Sequence, residues 1–172
     1  MDTQLPTIET TRLFFRQPTP GDHVILDNLW RNEKVRSFLG GTVTEEAITQ
    51  RLTTIHNHWN LHHFGLWVIL EKTTNKIAGL CGLHHSEDDI EISYMFFPHF
   101  WGKGYAREAV ITSLDYGFST LQIDTIVAIT QAANIKSRQL LDIVGLQYLN
   151  EFERFDAIQC LYKITKEEWD TL

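Results

Sequence analysis

Several features that mark specialised classes of protein are scarce in this sequence. Its 172 residues include only two cysteines, Cys81 and Cys160, and no Cys-x-x-Cys pair. A disulfide framework is therefore not expected, and both thiols are predicted to be buried in a reducing compartment. No run approaches the roughly eighteen consecutive apolar residues that mark a membrane-spanning helix. The N-terminal stretch MDTQLPTIET lacks a basic region followed by an apolar run, so we expect no secretory signal and predict a cytoplasmic protein.

Positive charge is scarce as well. Lys and Arg number 15 against 22 Asp and Glu, which gives a formal net charge of −7. This balance argues against broad nucleic-acid binding and mildly favours a cationic partner such as an amine. The sequence also lacks internal repeats, low-complexity tracts and Pro/Ser-rich linkers. Because its length suits one sizeable core, we expect a single domain over residues 1–172.

The spacing of apolar residues predicts a mixed α/β (α+β) domain. Four helices and six to seven strands are expected, and the Thr-Thr-Asn stretch between two apolar runs is typical of a β-hairpin. The amphipathic steps from Tyr105 to Leu121 indicate a central helix, and Asn134 and Gly145 are plausible limits of a later one. The order of these elements indicates a sheet that is antiparallel early and crosses over at the central helix.

The stretch FPHFWGKGYAREAV, from Phe97 to Val110, is the most informative part of the chain. A strand that runs through glycines into a helix leaves free backbone N–H groups at the positive end of that helix, which suits a phosphate. A Walker A loop does not fit, because Tyr105 follows Gly104 and no Ser or Thr follows Lys103. A dinucleotide-binding GxGxxG does not fit either, because position 107 is Arg. A tight glycine turn without any ligand is the alternative that the residues leave open.

The same stretch resembles the acyl-CoA pyrophosphate loop of the GNAT superfamily of N-acetyltransferases, Gln/Arg-x-x-Gly-x-Gly/Ala. Trp101 stands at the Gln/Arg position, Gly104 at the first fixed glycine and Ala106 at the Gly/Ala. The tryptophan departs from the superfamily pattern but resembles the RimJ/RimL-like (ribosomal-protein N-acetyltransferase) branch. The segments TTRLFFRQPTPGD, IEISYMFFP and NIKSRQLLDIVGL also resemble motifs of that branch, with Ser93 replacing a glycine. The resemblance runs from about position 11 to position 162.

This resemblance implies a GNAT fold, splayed between its fourth and fifth strands, with acetyl-CoA as co-substrate. Backbone groups near Phe96 and Phe97 would pair with the pantetheine arm, and Asn134 and Ser137 would lie near it. The pyrophosphate would bind to the loop that begins at Trp101 and supplies the amides of Gly102, Lys103, Gly104, Tyr105, Ala106 and Arg107. Lys103 would then be a charge at the outer edge of the site.

Direct acetyl transfer needs a base for the amine, a polarised carbonyl and a proton for the departing thiolate. Glu91 is our candidate base, directly or through a water, with His84 and His85 as alternatives. Many relatives carry a tyrosine seven residues after the asparagine, but here Leu141 stands there, which leaves Ser137 as the candidate acid. Tyr94 is a further catalytic candidate. For each of these residues a purely structural role is the alternative.

Metal binding is not expected from the eight histidines. His56-x-His58 and the adjacent pairs are not zinc spacings with partners, because both cysteines lie elsewhere. The leading hypothesis is an N-acetyltransferase that works on a primary amine, either a peptide N-terminus or a small molecule, as a monomer or homodimer. Because Leu141 replaces the usual acid, an acyl-CoA-binding or sensory domain is the alternative, and a nucleotide-binding protein is a third.

Overall fold

A computed structural model describes residues 7–41 and 43–172, and the N-terminal residues 1–6, where no secretory signal was expected, lie outside it. One open sheet runs in the order β1-β2-β3-β4-β5-β6-β8-β7. Its strands are β1 (Ile8–Glu9), β2 (Leu13–Arg16), β3 (Leu66–Glu71), β4 (Lys76–Ser86), β5 (Asp89–Phe96), β6 (Thr125–Gln131), β7 (Gln147–Arg154) and β8 (Ala157–Thr165). The helices are α1 (His23–Arg31), α2 (Glu33–Arg36), α3 (Glu45–His62), α4 (Tyr105–Asp115), α5 (Ile135–Ile143) and α6 (Lys166–Asp170).

The predicted mixed α/β class is confirmed, with more elements than the sequence indicated. Strand β1 adds an eighth strand, because Ile8 and Glu9 pair with Phe15 and Phe14 of β2. A strand of two residues is too short to show an alternating pattern. The five-residue α6 was missed for the same reason, whereas α1 and α2 together occupy the stretch that the sequence predicts as one helix, divided at Asn32. The central helix has the expected extent, since a π-helical turn over Tyr116–Thr120 continues α4.

The sheet opens between β5 and β6. Strands β2 to β5 are antiparallel neighbours, whereas β5 and β6 are parallel and share one pair of residues, Glu91 and Val127. Beyond Glu91, β5 continues to Phe96 with β4 alone as its partner in the register. These two strands are the fourth and fifth of those that the sequence predicted, so the expected splay lies at the expected place.

The core lies between this sheet and the helices that cover it. Leu114 and Phe118 of the central helical segment are fully buried, as are Ile126 of β6 and Ile164 of β8. Both cysteines are buried and free, as predicted. Burial raises the pKa of Cys81 to about 12, and a hydrogen bond with Ser113 opposes that rise. None of the described helices is long and apolar enough to cross a bilayer.

An ion pair between Arg16 and Asp22 joins the end of β2 to the start of α1. Both guanidinium Nη atoms of Arg16 donate to the carboxylate of Asp22, each at 2.7 Å. Asp22 is 5% exposed and also accepts from the N–H of Thr19 at 2.7 Å. Burial raises the pKa of Asp22, but the bonds from Arg16 and Thr19 outweigh that effect and leave the pKa below its usual value. The end of β2 is thereby tied to the start of α1.

Candidate active site

The loop between β5 and α4 is shaped by two glycines in the left-handed region. Gly102 has φ of 74° and Gly104, which immediately precedes α4, has φ of 80°. A Cβ at Gly104 would lie 3.3 Å from Nη2 of Arg12, whereas nothing lies within 4 Å of one at Gly102. Side chains other than glycine adopt these backbone angles at a cost. The requirement for glycine is therefore conformational at both positions, and at Gly104 an added Cβ would also displace the end of the Arg12 side chain slightly.

The N–H groups of this loop have no acceptor in the part of the chain that the structure describes. Of the described residues, none accepts a hydrogen bond from the six consecutive amides of residues 102–107. The first paired amide is that of Glu108, which donates to the carbonyl of Gly104 at 3.1 Å. Residues 101–104 and Arg107 are also exposed, whereas Tyr105 is buried and Ala106 is half-buried. Free amides at the positive end of a helix form an anion site of the kind that a pyrophosphate fills.

The side chain of Arg12 holds the main chain of this loop in place. Its Nη1 donates to the carbonyl of Lys103 at 2.7 Å, and its guanidinium carbon lies 4.4 Å from the centre of the Tyr105 ring. The Tyr105 hydroxyl in turn donates to the carboxylate of Glu71. In a trans peptide the C=O and N–H point in opposite directions, so holding the Lys103 carbonyl toward Arg12 turns the Gly104 amide away from the protein. The sequence motif containing Arg12 was recognised, but this role was missed because the contact spans distant parts of the chain.

Strand β5 presents backbone groups to the gap beside β6. The N–H of Phe97 donates to the carbonyl of Ala78 at 2.9 Å. Because successive residues of a strand direct their N–H and C=O to opposite edges, Phe96 and Tyr94 direct theirs to the open side. The Phe96 carbonyl there accepts from Nε1 of Trp101 at 2.8 Å. Phe97 also accepts from the N–H of Phe100, so its backbone groups are engaged inside the protein and only Phe96 of the two faces the gap.

Tyr94 and Ser137 meet across this gap. The Tyr94 hydroxyl on β5 and the Ser137 hydroxyl on α5 lie 2.6 Å apart. Burial raises the pKa of Tyr94, and the bond with Ser137 opposes this only in part, so the phenol is neutral at physiological pH. Asn134 caps α5, with its side-chain oxygen accepting from the N–H of Ser137 at 3.2 Å. Leu141, at the position of the tyrosine of many relatives, is fully buried in the core.

Glu91 lies at the closed end of the gap, where β5 and β6 share their one pair. It is half-buried, and its partner in the antiparallel register is His84 of β4. Nε2 of His84 lies 2.7 Å from the hydroxyl of Ser93. Side chains alternate along a strand, so Glu91 and Ser93 project from the opposite face of β5 to Tyr94. The candidate base Glu91 therefore lies on one face of the sheet, and the candidate acids Tyr94 and Ser137 lie on the other.

A sheet that opens beside a strand end and a loop of exposed amides at a helix start are the features expected of a site for an acyl-CoA-type donor. The comparisons with known proteins agree with that class. Residues 12–147 match the family model described as Acetyltransferase (GNAT) domain. The chain therefore belongs to the GNAT family of acetyltransferases, and the predicted GNAT membership is confirmed.

Among the similar curated proteins, one is described as an N-acetyltransferase and another has no described activity. The uncharacterized N-acetyltransferase YoaA of Bacillus subtilis is 30% identical over 148 residues, which cover 83% of each chain. The uncharacterized protein YkkB of the same organism is 30% identical over 102 residues. That match covers 57% of this chain and 59% of YkkB, so the chain spans less than two thirds of this relative.

Solved structures share the fold at low sequence identity. An acetyltransferase from Agrobacterium tumefaciens has a TM-score of 0.84 at 22% identity, covering 95% of this chain and 96% of that one. A spermidine N-acetyltransferase from Vibrio cholerae, in complex with CoA and spermine, has a TM-score of 0.78 at 19% identity. The match covers 93% of this chain and 99% of that one. A ribosomal-protein-S5-alanine acetyltransferase from Vibrio fischeri has a TM-score of 0.78 at 18% identity. The match covers 95% of this chain and 98% of that one. These similarities show the GNAT fold.

Proposed function

We propose that this protein transfers the acetyl group of acetyl-CoA to a primary amine, by direct attack within a ternary complex. The observation that carries the proposal is the row of six amides, residues 102–107, for which the described residues supply no acceptor, beside the open edge of β5. An anion site next to an open strand edge matches the two halves of coenzyme A, a pyrophosphate and an amide-containing arm. Neither cysteine is available as an acyl carrier, because both are buried.

The donor would lie along the gap. Its pyrophosphate would accept from the amides of the loop, and Lys103 and Arg107, both exposed, would add positive charge at the outer edge. The pantetheine arm would pair with the backbone of β5 at Phe96 and Tyr94, in the manner of an added strand. Trp101 would hold the turn closed through its bond to Phe96. Asn134 would contribute its side-chain NH₂ to the arm while its oxygen caps α5.

The chemistry would use groups on both faces of β5. Glu91 would accept a proton from the amine, directly or through a water, as the amine nitrogen attacks the thioester carbon. The C–N bond forms, the C–S bond breaks, and the thiolate leaves toward Tyr94 and Ser137. Burial raises the pKa of Tyr94, so the phenol is protonated; it would pass its proton to the departing thiolate, through Ser137 or directly. This pair would replace the acid that Leu141 cannot supply.

The acceptor is proposed only as a class, a primary amine on a peptide N-terminus or on a small molecule. Two structural neighbours have named acceptors, one a spermidine and the other a ribosomal protein acetyltransferase. Both have a TM-score of 0.78 to this chain, so they do not favour a small molecule over a peptide N-terminus. Assignment to the RimJ/RimL-like branch rests on the sequence motifs. We further propose a cytoplasmic protein that acts as a monomer or homodimer and binds neither nucleic acid nor membrane. The net charge of −7 supports the cationic acceptor.

A panel of amines tests this proposal. Thiol release from acetyl-CoA is followed with polyamines, amino sugars, aminoglycosides and peptides with free N-termini, alongside calorimetry with acetyl-CoA and with ATP. Turnover with at least one amine and binding of acetyl-CoA but not ATP support an acetyltransferase. Acetyl-CoA binding without turnover across the panel would instead support the alternative, an acyl-CoA-binding or sensory domain. Binding of ATP without acetyl-CoA would overturn both.

A further inference from the structure

Three histidines from two distant elements meet beside the β4–β5 hairpin. His58 and His62 lie four residues apart on α3 and therefore share one face of the helix. Their rings approach that of His85 on β4, with ring centres 4.6 Å apart for His58 and His62 and 4.2 Å apart for His62 and His85. One ring nitrogen of each lies within 4.8 Å of the others. Because His85 is distant from His58 and His62 along the chain, no ligand spacing in the sequence predicted this set.

The hydrogen bonds of His58 fix its tautomer. Nδ1 lies 2.8 Å from the carbonyl of Phe64, which can only accept, so Nδ1 carries the proton. Nε2 accepts from the backbone N–H of His85 at 3.0 Å, so it carries the lone pair and lies next to the main chain of His85. A carbonyl that holds one ring nitrogen, so that the other carries the lone pair, is the usual support of a metal-bound histidine.

The set consists of three histidines, and neutral imidazole is the form that binds metals. His84 itself is engaged by Ser93 and lies outside the set.

We propose that His58, His62 and His85 bind a divalent transition-metal ion, with Zn²⁺ as the representative. Three imidazoles without a thiolate or carboxylate suit Zn²⁺, Ni²⁺ or Cu²⁺ and do not suit Mg²⁺ or Ca²⁺. Metal–nitrogen bonds of about 2.0–2.1 Å require ligand nitrogens roughly 3.3 Å apart, so the three rings close inward by side-chain rotation. The ion then takes the lone pair of His58 that now accepts from His85. His85 is exposed, which leaves a further coordination position open to water.

Metal binding would tie the end of α3 to the hairpin that leads into Glu91. Strand β5 begins at Asp89, two residues before Glu91, and its register with β4 brings Ile90 opposite His85. An ion held by both elements binds only the folded chain and therefore raises its apparent stability. This consequence is independent of acetyl transfer and can be measured without any substrate.

The experiment is a titration of the full chain, without a histidine tag and after chelator treatment, with Zn²⁺. Calorimetry gives the affinity, and thermal unfolding with and without Zn²⁺ gives the shift in Tm. The variants are His62→Gln and His85→Gln, and the matched control is His63→Asn. His63 is exposed and has φ of 61°, a conformation that asparagine tolerates. Circular dichroism of the metal-free variants verifies that each is folded.

Wild type and His63→Asn are expected to bind one equivalent of Zn²⁺ and to unfold at higher temperature with it. His62→Gln and His85→Gln are each expected to bind at least about tenfold more weakly and to lose the shift in Tm. The proposal is overturned if wild type does not bind Zn²⁺, or if either His62→Gln or His85→Gln binds it as tightly as wild type. Because no acceptor or acetyl-CoA is present, failure here leaves the acetyltransferase proposal untouched.

Discussion

Nη1 of Arg12 donates to the backbone carbonyl of Lys103 at 2.7 Å, which joins the start of β2 to the loop that precedes α4. The same guanidinium stacks over the ring of Tyr105 and approaches Glu108 at 3.4 Å. Since Arg12 touches the back of the loop rather than its open side, it acts as a positioning residue for the six amides. Its effect is expected on the pyrophosphate half of the donor alone.

We predict that Arg12→Met raises KM for acetyl-CoA about tenfold while kcat changes little, because the charge-assisted bond to the loop is lost. Arg12→Lys should recover part of the affinity. The decisive comparison is with acetyl-pantetheine, which lacks the pyrophosphate and should show the same KM with wild type and Arg12→Met. Equal losses for both donors would mean that Arg12 supports the fold rather than the loop.

Gly104→Val is predicted to weaken acetyl-CoA binding by at least about tenfold. The β-branched side chain resists the φ of 80°, and its Cβ would contact Arg12, so the amides lose their arrangement. Calorimetry with acetyl-CoA measures the effect. Gly41→Val is the matched control, because Gly41 has φ of 79° and an added Cβ there meets nothing within 4 Å. Unimpaired binding by Gly104→Val would contradict the loop assignment.

Glu91→Gln should lower kcat about 100-fold with little change in acetyl-CoA affinity, because the amide cannot accept the proton of the amine. Raising the pH should recover part of the rate, as more of the amine is then already neutral. Steady-state rates at saturating donor across pH provide the measurement. Glu87→Gln, the same substitution at the exposed hairpin turn, is the control. Wild-type turnover by Glu91→Gln would remove Glu91 as the base.

Tyr94→Phe and Ser137→Ala are each predicted to lower kcat about 10- to 100-fold, and the double variant should be no slower than the worse single one. The two hydroxyls lie 2.6 Å apart and would deliver one proton together. A double-mutant cycle on kcat, with acetyl-CoA affinity measured in parallel, tests the coupling. Losses that simply multiply in the double variant would show that the hydroxyls act separately.

Asp22→Asn is predicted to destabilise the folded chain by about 3 kcal/mol at neutral pH, because it leaves Arg16 without its carboxylate. The pKa of Asp22 is lowered in the folded state, so its contribution is present above the ordinary carboxyl pKa and is lost as the pH falls through the folded-state value. Denaturant unfolding at pH 7 and below about pH 4 should therefore show a difference that shrinks with acid. Asp27→Asn, in an exposed i,i+4 pair with Arg31, should cost at most about 0.5 kcal/mol.

Local pattern was sufficient for most of the fold. The alternation of apolar residues located the main strands, and the three- and four-residue steps after Tyr105 located the central helix. The glycines at 102 and 104 indicated the anion loop because positive φ is a local requirement that few other residues meet. The elements that the sequence did not predict, β1 and α6, are too short to show a periodic pattern of apolar residues.

The candidate site could be predicted only in part from the sequence, because several of its contacts join distant segments of the chain. Residue types and order along the chain determined the elements, the glycine loop and the resemblance to GNAT acetyltransferases. Contacts between distant segments depend on how those elements pack, and no local pattern encodes their distances. Only the tertiary structure therefore decided that Arg12 holds Lys103, that Tyr94 meets Ser137 across the gap, and that His85 joins His58 and His62.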